Sequence, residues 1–183
     1  MLIESNDNYR SPHKLVEFIN ALHLTKNPIQ ARSLYQGFEP AIYKYKAEVQ
    51  TGLQVVNQAV KAFLDDGFLP SQIAVISLKS KDKSKLLTLD EIAGVQTKRP
   101  LYTYDDAGNA LWTTGEIILD TVYRFKGQSI PALVFCEIDY EENDDKTLKK
   151  LLVGFTRAQV KLSLVISEKS LLLLANQADS KLE

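Results

Sequence analysis

At 183 residues, with 45% apolar and 25% charged side chains, the chain has the make-up of one ordinary globular domain, which excludes a disordered or fibrous protein. A formal net charge of −1 excludes a global basic field, so any nucleic-acid contact has to come from a local patch. The single cysteine, Cys136, excludes an internal disulfide framework and points to a reducing, cytoplasmic setting; no signal peptide and no apolar run long enough to span a membrane are seen.

Asn8-Tyr9-Arg10-Ser11-Pro12 opens a helix, with Ser11 suited to the N-cap and Pro12 to the first helical position. Leu15, Phe18, Ile19 and Leu22 follow at i, i+3, i+4 and i+7 and define one buried face, which Asn27-Pro28 brings to an end. Residues 24–46 lack periodicity apart from a short strand around 42–45. Val49, Leu53, Val56, Val60 and Phe63 repeat at spacings of four and three and predict an amphipathic helix. Gly67 is placed to stop that helix and Pro70 to prevent its restart. A buried strand over 73–78 comes next, so strand, helix and strand form a crossover unit of a parallel sheet.

Residues 79–98 are polar. Lys79, Lys81, Lys83 and Lys85 read as a solvated loop, in preference to a phosphate-facing patch, and lead into a short helix over 86–92. Residues 101–104 and 110–113 flank Asp105-Asp-Ala-Gly-Asn109 as a small hairpin. Trp112, Tyr102 and Tyr104 offer a base-stacking platform or, as is commoner, ordinary cross-strand packing. The carboxylates crowded into 139–145 fit no calcium loop and suit a helix N-terminus. That helix buries Leu148, Leu151, Leu152 and Phe155 and ends at Thr156 and Arg157. A strand over 161–166 and a helix capped by Ser167 close the chain. Cys136 reads as a core residue, since nothing electropositive flanks it.

The chain is organised around residues 119–138. Here a strand over 117–122 and a buried strand over 134–138 bracket Arg124-Phe125-Lys126-Gly127. Loops at the strand ends of open α/β sheets are where ligands bind, glycine lets the backbone approach a phosphate, and lysine supplies charge. Taken alone, the segment is a solvated basic turn. Its weight changes beside Leu151-Leu-Val-Gly-Phe-Thr-Arg-Ala158.

Asn-Tyr-Arg-Ser, then Thr-Val-Tyr-Arg-Phe-Lys-Gly-Gln, then Val-Gly-Phe-Thr-Arg-Ala stand in order along the chain. Together they resemble motifs IV, V and VI of superfamily 1 helicases of the UvrD/Rep type, from Asn8 to about Ile166. The resemblance implies a single domain over 1–183: a three-layer RecA-like (P-loop NTPase-like) α/β fold with a mostly parallel sheet and a small β-hairpin insertion. It implies the second motor domain, the half that closes over ATP bound to the first.

By that resemblance Tyr9 is the motif IV aromatic that stacks on adenine, Arg10 reaches the γ-phosphate, and Arg157 is the motif VI arginine finger. Arg157 and Arg10 are then catalytic, and Tyr9, Arg10, Lys126, Gly127 and Arg157 form the nucleotide set. A planar, permanently charged guanidinium suits the charge of a transferring phosphoryl group. Thr121, Tyr123, Arg124 and Lys126 match the motif V positions that meet DNA. Tyr123 replaces the family's usual histidine, Ser129 its usual glutamate, and Phe155 a usual leucine.

The sequence has no Gly-x-x-x-x-Gly-Lys-Ser/Thr phosphate loop and no apolar strand ending in an Asp-Glu pair. ATP and magnesium are therefore expected to be bound mainly by a first RecA-like motor domain of the same polypeptide. The chain alone is not expected to hydrolyse ATP, and no metal site of its own is predicted. The roughly 110 residues between Ser11 and Thr121 leave no room for the large accessory insertion of UvrD-like helicases. The expected function is the second motor domain of an ATP-dependent DNA helicase or translocase, on single-stranded or duplex DNA and with no membrane partner. A degenerate half-helicase acting as a non-catalytic nucleic-acid or protein binding module is the alternative. A nucleotide-binding α/β domain outside the helicases is a third reading, and it predicts that Arg10 and Arg157 lie far apart.

Overall fold

The computed structural model describes residues 6–46 and 52–179. The chain runs β1 (Asp7–Asn8), α1 (His13–Ala21), β2 (Gln30–Ala31), β3 (Ala41–Tyr45), α2 (Gly52–Asp65), β4 (Ile73–Ser77), β5 (Glu91–Ile92) and β6 (Val95–Lys98). It continues through β7 (Pro100–Tyr104), β8 (Ala110–Trp112), β9 (Ile117–Thr121), β10 (Ile130–Ile138), α3 (Asp145–Phe155), β11 (Ala158–Ser167) and α4 (Glu168–Asp179). Seven strands form one sheet in the order β3-β11-β10-β4-β9-β6-β5. Every neighbouring pair is parallel except β5–β6.

The central strands β4 and β10 are apolar along almost their whole length because helices cover both faces of the sheet. On one face α2 packs Val56, Ala59, Val60 and Phe63 against Ile73, Val75, Val134 and Val165. On the other, α1, α3 and α4 bury Leu15, Ile19, Leu151, Phe155 and Leu174 against Ile76, Leu133, Phe135 and Leu164. The result is the three-layer α/β architecture expected of a RecA-like domain. Cys136 is fully buried in β10, as expected, and burial pushes its thiol well up.

Two local expectations change. Pro12, not Ser11, is the N-cap of α1, and the helix starts at His13. Ser11 is buried because Asn8 captures the preceding turn: its Oδ1 accepts from the Arg10 and Ser11 amides at 2.9 and 2.8 Å. Nor is there a helix over 86–92. Leu86 and Leu87 drop into the core, and Ala93 and Gly94, both at positive φ (52° and 81°), form the two-residue turn that joins β5 to β6. Val49, the first residue of the predicted second helical face, lies outside the described residues; the remaining ones form α2. The predicted hairpin is present as β7–β8, with Gly108 at φ +82° in its turn.

β9 and β10 are not neighbours, because β4 lies between them. Residues 122–129 therefore cross from the edge where β9 ends to the edge where β10 begins. The crossing lies on the face that carries α1 and α3, with Val122 and Phe125 buried there. α3 makes the same crossing one strand further on. Gly154 lets it come down on β10: a Cβ at that position would overlap the Phe135 ring.

Candidate functional site

Arg157 follows the C-cap of α3, on the sheet edge where β10 and β11 begin. Its carbonyl accepts from the Ile130 amide at 3.0 Å. All three of its donor nitrogens are held: Nε by the Val153 carbonyl (3.0 Å), Nη1 by the Gln128 carbonyl (3.1 Å) and Nη2 by Thr156 Oγ1 (3.1 Å). Each acceptor is neutral. Burial, and after it the charge of Arg10, lowers the Arg157 pKa from its ordinary value. Two cations from opposite ends of the chain thus stand within electrostatic range of each other. Among the described residues, neither Arg10 nor Arg157 forms an ion pair with a carboxylate.

The Asn8 turn explains how Arg10 gets there. With the two amides of the turn tied to Asn8, Tyr9 and Arg10 are turned outward, and the Tyr9 ring is 73% exposed. Strand β1 is anchored by parallel pairing with β2 and by Arg32 Nε donating to Asp7 Oδ1 at 2.8 Å. An open depression of about 610 Å³ lies against Tyr9 and Arg10, walled by Thr25, Lys26 and Asn27. The depression thus offers an aromatic face and a cation at its lip.

The remaining predicted residues spread along the 122–129 crossover. Thr121 is 3% exposed, and its Oγ1 accepts from the Arg124 amide at 3.3 Å, so it organises the turn from within. Tyr123 is half exposed and Lys126 is exposed; both line a groove of about 470 Å³ against α3. Gly127 takes φ +89°, which glycine adopts without strain, and so delivers the Gln128 carbonyl to Arg157. Ser129 Oγ accepts from Gln159 Nε2 at 3.0 Å.

Arg124 is engaged otherwise. Its Nε lies 3.4 Å from Asp120 Oδ1, a carboxylate that is almost wholly buried, and its guanidinium faces the Tyr102 and Trp112 rings at 5.2 and 5.6 Å. Lys81 stacks on the same Tyr102 ring at 3.8 Å. Tyr104 is 68% exposed, while two hairpin aromatics, Tyr102 and Trp112, therefore meet the crossover through Arg124. The sequence signal for this was Asp120 four residues before Arg124, the spacing of an ion pair across one helical turn.

Sequence reasoning also passed over three lysines. Lys146, Lys149 and Lys150, with Val153, stand at i, i+3, i+4 and i+7 on the face of α3 opposite the leucine stripe, and all four line the groove. Among the described residues no group of three or more His, Cys, Asp or Glu side chains could hold a metal ion, and no helix is long and apolar enough to cross a membrane.

No protein-family model matches the chain, and no curated protein matches it. Its fold is similar to the crystal structure of the C-terminal domain of a possible DNA helicase from Lactobacillus plantarum WCFS1. That likeness has a TM-score of 0.59 at 20% sequence identity and covers 91% of this chain and 94% of that one.

Proposed function

We propose that this chain is the second motor domain of an ATP-dependent DNA helicase or translocase of the superfamily 1, UvrD-like kind. The observation that carries the reading is the pair Arg10 and Arg157, two guanidinium groups within electrostatic range of each other, neither of which forms an ion pair among the described residues. Like charges held together in a folded chain cost free energy unless an anion arrives between them, and a polyphosphate is such an anion. The likeness in fold to a helicase C-terminal domain supports the same reading.

Tyr9, Arg10 and Arg157 fit the base and terminal phosphates of ATP, which with magnesium supplies the phosphoryl chemistry when held mainly by a first motor domain of the same polypeptide. Tyr9 offers a stacking face. Arg157 exchanges its hydrogen bonds to Gln128 and Thr156 for phosphate oxygens and stabilises the charge of the transferring group, while Arg10 adds a second cation. Losing the Gln128 bond frees the crossover, so Tyr123 and Lys126 at its other end change their grip on a DNA strand. Thr121 sets the turn that presents them.

The test is the full-length protein with a functional first motor domain. Arg157→Ala should lower DNA-stimulated ATP hydrolysis by about 10³-fold, with Arg157→Lys no better than partly restored. A rate within about threefold of the unmodified enzyme overturns the finger assignment. The bond between Ser129 and Gln159, where the resembling family has a glutamate for the nucleotide, favours a second reading, a degenerate half-helicase that binds without catalysis. A full-length reading frame with no phosphate loop ahead of this domain would decide for that reading.

A further inference from the structure

The groove between residues 122–126 and α3 is built from two kinds of surface. Its floor is apolar: Val122, Val153 and the flank of the Tyr123 ring. Its rim is cationic, with Lys126 on the crossover and Lys146, Lys149 and Lys150 on α3. The only carboxylate in the lining is Asp145, which reaches Lys149 at 3.8 Å between two well-exposed side chains. Just outside the lining, Asp144 is committed to capping α3, where its Oδ1 accepts from the Thr147 amide. Asp144 also lies within electrostatic range of Lys150 and Lys146, so four cations face two carboxylates and leave a net positive patch on a chain whose net charge is −1.

The spacing within the patch is informative. Lys146 and Lys149 or Lys150 are one helical turn apart, about 5 Å along the axis. The strand-like repeat of a nucleic-acid backbone is of similar length. Lys150 Nζ lies over the Tyr123 ring, 5.3 Å from its centre, so a cation and a half-exposed aromatic stand together in the groove. The charge suits phosphates, and the half-exposed Tyr123 ring suits a base. A single-stranded nucleic acid uses both.

We infer that the lysine face of α3 is part of a single-strand track: one base stacks on Tyr123 over the Val122–Val153 floor, and its neighbouring phosphates are held by Lys146, Lys149 and Lys150. The inference rests on the reading of this chain as a nucleic-acid motor domain and extends its contact surface from the crossover onto α3. Arg124, paired with Asp120, is not on the track.

The test is fluorescence anisotropy of a labelled oligothymidylate with the 183-residue chain across a salt series. Replacing Lys146, Lys149 and Lys150 together by Ala should reduce the slope of log K against log salt by about 2, since each phosphate neutralised on a single strand contributes about 0.7. Gln at the same three positions should do the same, which separates charge from helix stability. Tyr123→Ala should weaken binding by about tenfold at fixed salt with little change in slope. An unchanged slope in both triple variants overturns the track, as does an unchanged affinity in Tyr123→Ala or equal affinity for polyglutamate. If Lys126→Ala lowers the slope while the triple variants do not, the track fails and the motor-domain reading stands. If the unmodified chain binds no oligothymidylate, the track fails, and the motor-domain reading is judged by the ATPase test of Arg157→Ala.

Discussion

Arg124 and Arg157 lie at the two ends of the same crossover and are held in opposite ways. Arg124 is neutralised: a buried carboxylate takes its charge, and two aromatic rings of the hairpin cover its face. Arg157 is only positioned: its three nitrogens meet neutral oxygens, and the charge of Arg10, another cation, lowers its pKa after burial does. The charge of Arg124 is compensated within the fold, whereas Arg157 is oriented with no compensating charge among the described residues. Both belong to motif-like stretches, so residue type alone does not sort them; charge compensation does.

Breaking the support of one arginine should have the largest effect. Gly154→Ala forces α3 away from Phe135 and so displaces the residue that α3 carries at its end. We expect a loss of about 3 kcal/mol in urea unfolding, in the upper part of the range for overpacked cores. A loss below about 0.5 kcal/mol would mean that α3 does not depend on this close approach.

The arginines themselves come next. Arg124→Ala strands the Asp120 carboxylate and should cost about 2 kcal/mol, less than a fully buried pair because the Arg124 side chain is 35% exposed. Arg157→Ala removes hydrogen bonds to neutral acceptors and should cost about 1 kcal/mol or less. The reverse order would break the comparison.

Proton linkage sharpens it further. Burial holds the Asp120 carboxyl above its ordinary value, against the opposing pull of the Thr121 amide and Arg124. With its folded-state value raised, Asp120 contributes stability that is full below the unfolded value of about 3.9 and is lost as pH rises through the folded one. Arg124 limits that loss. The penalty of Arg124→Ala should therefore be about 1 kcal/mol larger near pH 7 than near pH 4, while that of Arg157→Ala should not change over the same range. Equal penalties at both pH values would separate Arg124 from Asp120.

The smallest effect is the most direct probe of the uncancelled charge. Millimolar pyrophosphate should raise the melting temperature by about 2 °C through Arg10 and Arg157. Arg157→Ala should abolish the increment and Arg124→Ala should retain it. An increment that survives Arg157→Ala places the anion elsewhere.

Much of this architecture is legible in short windows of sequence. The four-and-three repeat of α2, the buried runs of β4 and β10, the glycine-containing turn of the hairpin and the leucine stripe of α3 are each set within about fifteen residues by side-chain period and turn chemistry. The β5–β6 turn could have been found the same way from Ala93-Gly94, but the lysine-rich approach to it resembled the polar entry to a helix. Tyr9 and Arg10 were visible as types, while the Asn8 turn that aims them outward was hidden behind a more conventional cap.

Charge compensation is different, because it depends on what the strand order brings within a few ångströms. Inserting β4 between β9 and β10 makes residues 122–129, a basic turn in the sequence, a crossover between parallel strands. It lays Tyr123 and Lys126 along α3 and brings the Gln128 carbonyl to Arg157. The hairpin rings reach Arg124, and Arg10 approaches a residue far along the chain, for the same reason. Periodicity reports which face of an element is apolar and says nothing about which element will be its neighbour. Coulomb energy, which falls off with distance through space, is therefore settled only when the layers close.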